Sequence, residues 1–131
     1  MAGGLGEHTV MDRETVPPRV SKLHYVFEGW LGDDLLETYP CFTMTKLMAE
    51  RLTQLDATGF TVREVEVSTS GAFEDYFPNQ ELPEFLWLDV TGTPAQDDLG
   101  LESDARLVVS ARVLGVLRSG HLEHCEIESY P

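Results

Sequence analysis

The six residues Phe85-Leu86-Trp87-Leu88-Asp89-Val90 are apolar at every position but one. A strand with one face in water alternates apolar with polar residues. A run this continuous needs cover on both faces, and so predicts a central strand. The rest of the chain must supply that cover. At 131 residues and 42% hydrophobic content it is long enough to bury one core of its own, and it reads as a single domain.

Other periodicities supply partners for that strand. In "KLHYVFEGW", Leu23, Tyr25 and Phe27 alternate with His24, Val26 and Glu28, the period of a strand with one core face. "LGDDLLETYP" has the composition of a loop with room for a helical turn, and "CFTMT" is a short strand. After Thr45 the period becomes helical: Met48, Leu52 and Leu55 recur on one side, widened by Leu47 and Ala49. Thr45 is placed to cap that helix with its hydroxyl, and Gly59 suits a left-handed residue after its end. "FTVREVEVS" reads as one strand with a bulge where the alternation slips. "TSGAFEDYFPNQELPE" is broken by Gly71, Pro78 and Pro83, leaving loop or one irregular turn. "TGTPAQDDLGLESDA" is loop and "RLVV" is strand. Ser110 then caps a second helix carrying Val113, Leu114 and Leu117, Gly120 closes it, and "HLEHCEIES" forms a last strand. Residues 1–20 hold Gly3, Gly4, Gly6, Pro17 and Pro18 without any period and are expected to be a flexible arm, within which Met11 offers an alternative start.

The two helical units invite superposition. Thr45 falls on Ser110 at an offset of 65, which carries Met48 onto Val113, Ala49 onto Leu114 and Leu52 onto Leu117. Asp33, Asp34 and Leu35 meet Asp97, Asp98 and Leu99 at an offset of 64, and Glu64 and Glu66 meet Glu126 and Glu128 at 62. The expected fold class is therefore α+β: two pseudo-repeated β-β-α-β units, about 22–70 and 84–130, in one domain over 21–131. A mainly antiparallel sheet and two short helices are expected.

Charge narrows the partners. The chain carries 23 acidic and 9 basic residues, a formal charge of −14, which repels nucleic acid and anionic membrane surfaces. Its electrostatic complement is a basic protein, although the same charge also serves solubility. Two cysteines, Cys41 and Cys125, are too few for a disulfide framework, and the first twenty residues lack a signal-peptide core, so a cytoplasmic protein is expected.

Chemistry-bearing motifs are sparse. His121, His124 and Cys125 offer zinc-type ligands, but alternation along a strand turns His124 away from the other two. The pairs Asp33/Asp34 and Asp97/Asp98 can bind a cation or share a proton, or can simply cap turns. Ser110 and Thr45 stand at caps, and no nucleophile elbow or phosphate cradle accompanies them. In "AFEDYFPNQELPEF", Phe73, Tyr76 and Phe77 lie among carboxylates, which suits an exposed anchor patch or a loop folded back over the core.

"FLWLDV", "DDLGL", "LVVSARVLGVL" and "HCEIESY" together resemble the small α+β immunity proteins of bacterial polymorphic toxin systems. In those families a tryptophan-bearing strand and an aspartate-containing loop precede a "V-[ST]" strand end and a helix. The resemblance implies a bacterial protein that binds a cognate toxin and blocks it without chemistry of its own. The resulting expectation is a non-enzymatic acidic binding domain with no cofactor. Its contact residues are expected to be Glu64, Glu66, Asp97, Asp98, Glu126 and Glu128. The alternatives are a small metal- or ligand-binding or catalytic domain using the aspartate pairs or the histidines near Cys125, and a structural adaptor in a larger assembly.

Overall fold

The computed structural model describes residues 3–130. In chain order the elements are β1 (Gly3–Leu5), β2 (Val10–Asp12), β3 (Arg19–Lys22), β4 (His24–Phe27), β5 (Leu35–Thr38), β6 (Cys41–Thr45), α1 (Lys46–Gln54), β7 (Phe60–Arg63), β8 (Glu66–Thr69), α2 (Gly71–Tyr76), β9 (Phe85–Val90), β10 (Leu99–Leu101), β11 (Leu107–Val109) and α3 (Ala111–Arg118). The class is α+β, and every strand pairing is antiparallel except that of β4 with β8.

The apolar run behaves as its pattern predicts. It forms β9, which lies between β6 and β7 in a four-stranded sheet ordered β5-β6-β9-β7. Strand alternation divides its side chains between two cores. On one face Leu88 joins Phe42 and Met44 of β6 beneath Met48, Ala49 and Leu52 of α1 and Val113 and Leu117 of α3. On the other, Phe85 packs with Tyr25, Phe27, Leu36 and Phe73, while Trp87 packs with Leu23 and Cys41. Helices thus cover one side of the central sheet. The second sheet, ordered β1-β4-β8, and α2 cover the other.

Both long helices begin where hydroxyl residues predict. Thr45 and Ser110 have extended backbones, and their side-chain oxygens accept from the N–H groups of Met48 and Val113. Ser70 does the same for α2 through the N–H of Phe73. The end of α1 differs from expectation: its left-handed residue is Asp56, at φ 60°, rather than Gly59. Gly59 has its own reason for positive φ, because a Cβ there would strike the Leu99 carbonyl as β10 crosses close by.

Five further assignments change. "FTVREVEVS" is two strands, because the slip at Glu64 and Val65 is where the chain leaves the central sheet as β7 and enters the outer one as β8. Of the expected arm over residues 1–20, residues 3–20 are strands and turns, and residues 1 and 2 lie outside the described residues. Two of the three glycines that suggest flexibility are required by close packing, since a Cβ on Gly3 would collide with Val26 and one on Gly6 with the His24 ring, while Gly4 has open space beside it. The loops expected around Leu35 and Leu99 contain the strands β5 and β10, and α2 raises the helices to three. Conversely, residues 121–130 form no strand, because Asp33 and Asp34 take up backbone N–H groups of His121, Glu123 and His124.

That last change removes the closing strand of the second expected β-β-α-β unit, so the full pseudo-repeat is not what the chain forms. The strands are also divided among four sheets instead of one. A smaller arrangement does recur: hairpins β5-β6 and β10-β11 each lead into a capped helix. In the first, the Thr45 hydroxyl donates to Asp34 Oδ1 at 2.7 Å and the Thr45 N–H to the Asp34 carbonyl at 2.9 Å. In the second, the Ser110 hydroxyl donates to Asp98 Oδ1 at 2.7 Å and the Ser110 N–H to the Asp98 carbonyl at 2.8 Å.

Candidate functional site

The aspartate pairs are committed to the fold. Asp34 accepts from the Thr45 hydroxyl on one oxygen and from the His121 N–H on the other, at 2.7 Å each. Asp33 is buried, and it accepts from the N–H groups of Glu123 and His124 and from His124 Nδ1 at 3.0 Å. Asp98 accepts from Arg112 Nε at 2.9 Å and Nη2 at 2.6 Å, and from the Ser110 hydroxyl and the Thr58 N–H. The Arg112 guanidinium, the Thr58 amide and the Ser110 hydroxyl hold its carboxyl well below the usual carboxylate range. Asp97 accepts from the Thr93 N–H at 2.8 Å, closing its own loop. Asp97 and Asp98 therefore stand mainly as turn and cap groups.

The remaining expected contact residues separate by environment. Glu64, Glu126 and Glu128 are exposed. The last two lie on the C-terminal segment. Glu66 is only half-exposed and has neighbours that sequence reasoning did not foresee. Its Oε2 accepts from His8 Nδ1 at 2.6 Å and lies 3.5 Å from His24 Nε2, while its Oε1 is 3.4 Å from Lys22 Nζ. The His8 hydrogen bond holds the Glu66 carboxyl below its ordinary value, and Lys22 adds to it.

His24, at the start of β4, is the hub of that cluster. The parallel pairing sets it opposite Glu66. Its ring Nε2 is 2.8 Å from the Ser68 hydroxyl, and its Nδ1 accepts the N–H of His8 at 3.2 Å. Its backbone carbonyl accepts from the Gly6 N–H at 2.7 Å and from the Thr9 hydroxyl. The His8 and His24 rings stack with centroids 4.8 Å apart. The signal in the sequence is faint, since three residues so far apart converge only once β4 and β8 are known to pair.

His121, His124 and Cys125 do not converge. Among the described residues, the one group of three metal-type side chains whose ligand atoms lie together is His8, His24 and Glu66. Cys41 is buried, and burial, with the Asp89 charge, pushes its thiol up to about 12, so it does not ionise to a nucleophile near neutral pH.

The segment between Arg63 and Arg106 contains eleven aspartates and glutamates and no lysine or arginine. Five of these carboxylates reach a basic side chain: Glu66, Glu84, Asp89, Asp98 and, at the segment's end, Asp104. Among the described residues Glu64, Glu74, Asp75 and Glu81 form no such pair. α2 lies in this segment. Its Phe73 is buried in the core, but Tyr76 is 79% exposed and Phe77 40%. The Phe77 ring stands over Gly29 and that of Phe73, so it is fixed on one side and open on the other.

Among the described residues no helix is long and apolar enough to cross a membrane. No family model, no curated protein and no solved structure matches the chain.

Proposed function

We propose that this chain is a non-enzymatic, cytoplasmic binding protein whose acidic surface receives a basic protein partner, in the manner of a bacterial immunity protein neutralising a toxin domain. The observation that carries the reading is the single-sign segment around α2. It has eleven carboxylates and no basic residue between Arg63 and Arg106, and Tyr76 is exposed among those without an ion-pair partner. An exposed tyrosine supplies large, rigid contact area at low entropic cost, and surrounding carboxylates steer a basic partner to it. Glu64, Glu126 and Glu128 extend the negative surface. Asp97 and Asp98 support it from within the fold, and Glu66 contributes through its cluster. The resemblance to immunity proteins gives the partner its identity as a toxin domain.

The test reads the genes flanking this one for a secreted protein with a basic C-terminal domain and co-expresses that domain with the chain; finding no such neighbour also contradicts the reading. Growth should be restored by the wild-type chain and lost with Tyr76→Ala combined with Glu74→Lys and Asp75→Lys. A wild-type chain that gives no protection, or a triple variant that protects as well, contradicts the reading.

A further inference from the structure

We infer that His8, His24 and Glu66 form a binding site for a zinc-class divalent ion, which ties the first turn of the chain to the parallel strands β4 and β8. The inference shares only Glu66 with the partner reading and involves none of the residues around Tyr76.

Two imidazole nitrogens and one carboxylate oxygen are the ligand set that zinc and its neighbours prefer over magnesium or calcium. Their ligand atoms all lie within 4.8 Å of one another. In tetrahedral zinc, ligands at about 2.0–2.1 Å from the ion stand roughly 3.3 Å apart. Glu66 Oε2 is already 2.6 Å from His8 Nδ1 and 3.5 Å from His24 Nε2, so closing the set asks for shifts of about an ångström. Water would fill the fourth position. His8 and His24 line a surface cleft of about 560 Å³ that is also lined by Glu7 and Glu28, giving a cation both an entry path and a favourable field.

Neighbouring groups orient two of the ligands. Lys22 holds Glu66 Oε1, leaving Oε2 turned toward both rings. Glu7 Oε1 lies 3.7 Å from His8 Nε2, in place to accept that nitrogen's proton once Nδ1 binds the ion, the carboxylate–histidine–metal arrangement of outer-shell support. Binding costs three contacts: the His8–Glu66 hydrogen bond and the Ser68 hydroxyl's contact with His24 Nε2 give way to the ion, and the His8 amide loses His24 Nδ1. The His24 proton sits on Nε2 in the structure because Nδ1 accepts the His8 amide; ligation through Nε2 moves it to Nδ1, and the His8 amide must turn away. When both rings are neutral no proton is released, since each keeps one on its other nitrogen. The rearrangement involves the turn at residues 6–9 and the Glu66 and Ser68 side chains of β8.

The test titrates untagged protein with zinc by calorimetry and with cobalt(II) by visible absorption. One equivalent should bind, with cobalt bands of a four-coordinate nitrogen and oxygen site and a melting temperature that rises with zinc concentration. His8→Ala and Glu66→Gln, both outside the core, should each weaken binding by more than the roughly 10–100-fold typical of outer-shell changes, and Glu7→Gln by an amount within that range. In NMR spectra the His8 amide should be among the signals that move. The double variant His121→Ala, His124→Ala should bind zinc as the wild type does. Absence of saturable one-to-one binding, binding that survives both His8→Ala and Glu66→Gln, or binding removed by the His121 and His124 changes would overturn the inference.

Discussion

Thr45 and Ser110 show how one side chain does two things in this fold. Each hydroxyl accepts from a first-turn N–H and donates to an aspartate, which in turn takes a backbone N–H from the segment following the other long helix: Asp34 from His121 after α3, and Asp98 from Thr58 after α1. Replacing either hydroxyl residue by alanine should cost about 1 kcal/mol, read from chemical denaturation. Asp98 adds a pH signature. Its folded pKa lies below the unfolded one, so its stabilising effect is present above the ordinary carboxylate range near about pH 4 and fades as pH falls further. Asp98→Asn should lower the melting temperature at neutral pH, and the gap from wild type should shrink in acid. A gap that stays constant or widens in acid would show that Arg112 is not the cause. The caps were readable from sequence because a hydroxyl before a helical stripe has few other local uses. The aspartates that receive those hydroxyls were visible only as loop composition, since their partners lie in distant segments.

Among the elements, β9 was the most readable, because an apolar run on both faces admits one position in a sheet. The outer sheet was the least readable. Its strands are short, β1 is glycine-rich, and β8 looks continuous with β7 until Glu64 and Val65 carry the chain from one sheet to the other. Glycine density in residues 1–20 suggests freedom, but Gly3 and Gly6 serve contact. Gly6→Ala tests this, because its methyl group would occupy the place of the His24 ring. Hydrogen exchange should accelerate through residues 3–9 while β6 and β9 stay protected, whereas unchanged exchange would mean the turn does not depend on that approach. By contrast Leu52→Ala, in the wholly buried face of α1, should destabilise the entire domain by about 2–5 kcal/mol.

At the scale of the molecule, a charge of −14 on one small domain repels itself. Added sodium chloride should therefore raise the melting temperature by screening that repulsion, whereas a fold held mainly by its surface ion pairs would lose stability. The class α+β and the acidic balance were accessible from composition and period. The location of an exposed aromatic within the acidic segment was not, because whether Tyr76 or Phe73 turned inward depended on where α2 met the outer sheet. The account's central claim, that this surface receives a basic partner, is tested most directly by the association rate with the neighbouring basic domain as salt is varied. The account predicts a rate that falls steeply with ionic strength and drops about tenfold or more at low salt when Glu64 and Glu128 are both reversed to lysine. A rate indifferent to salt and to that double reversal would contradict it.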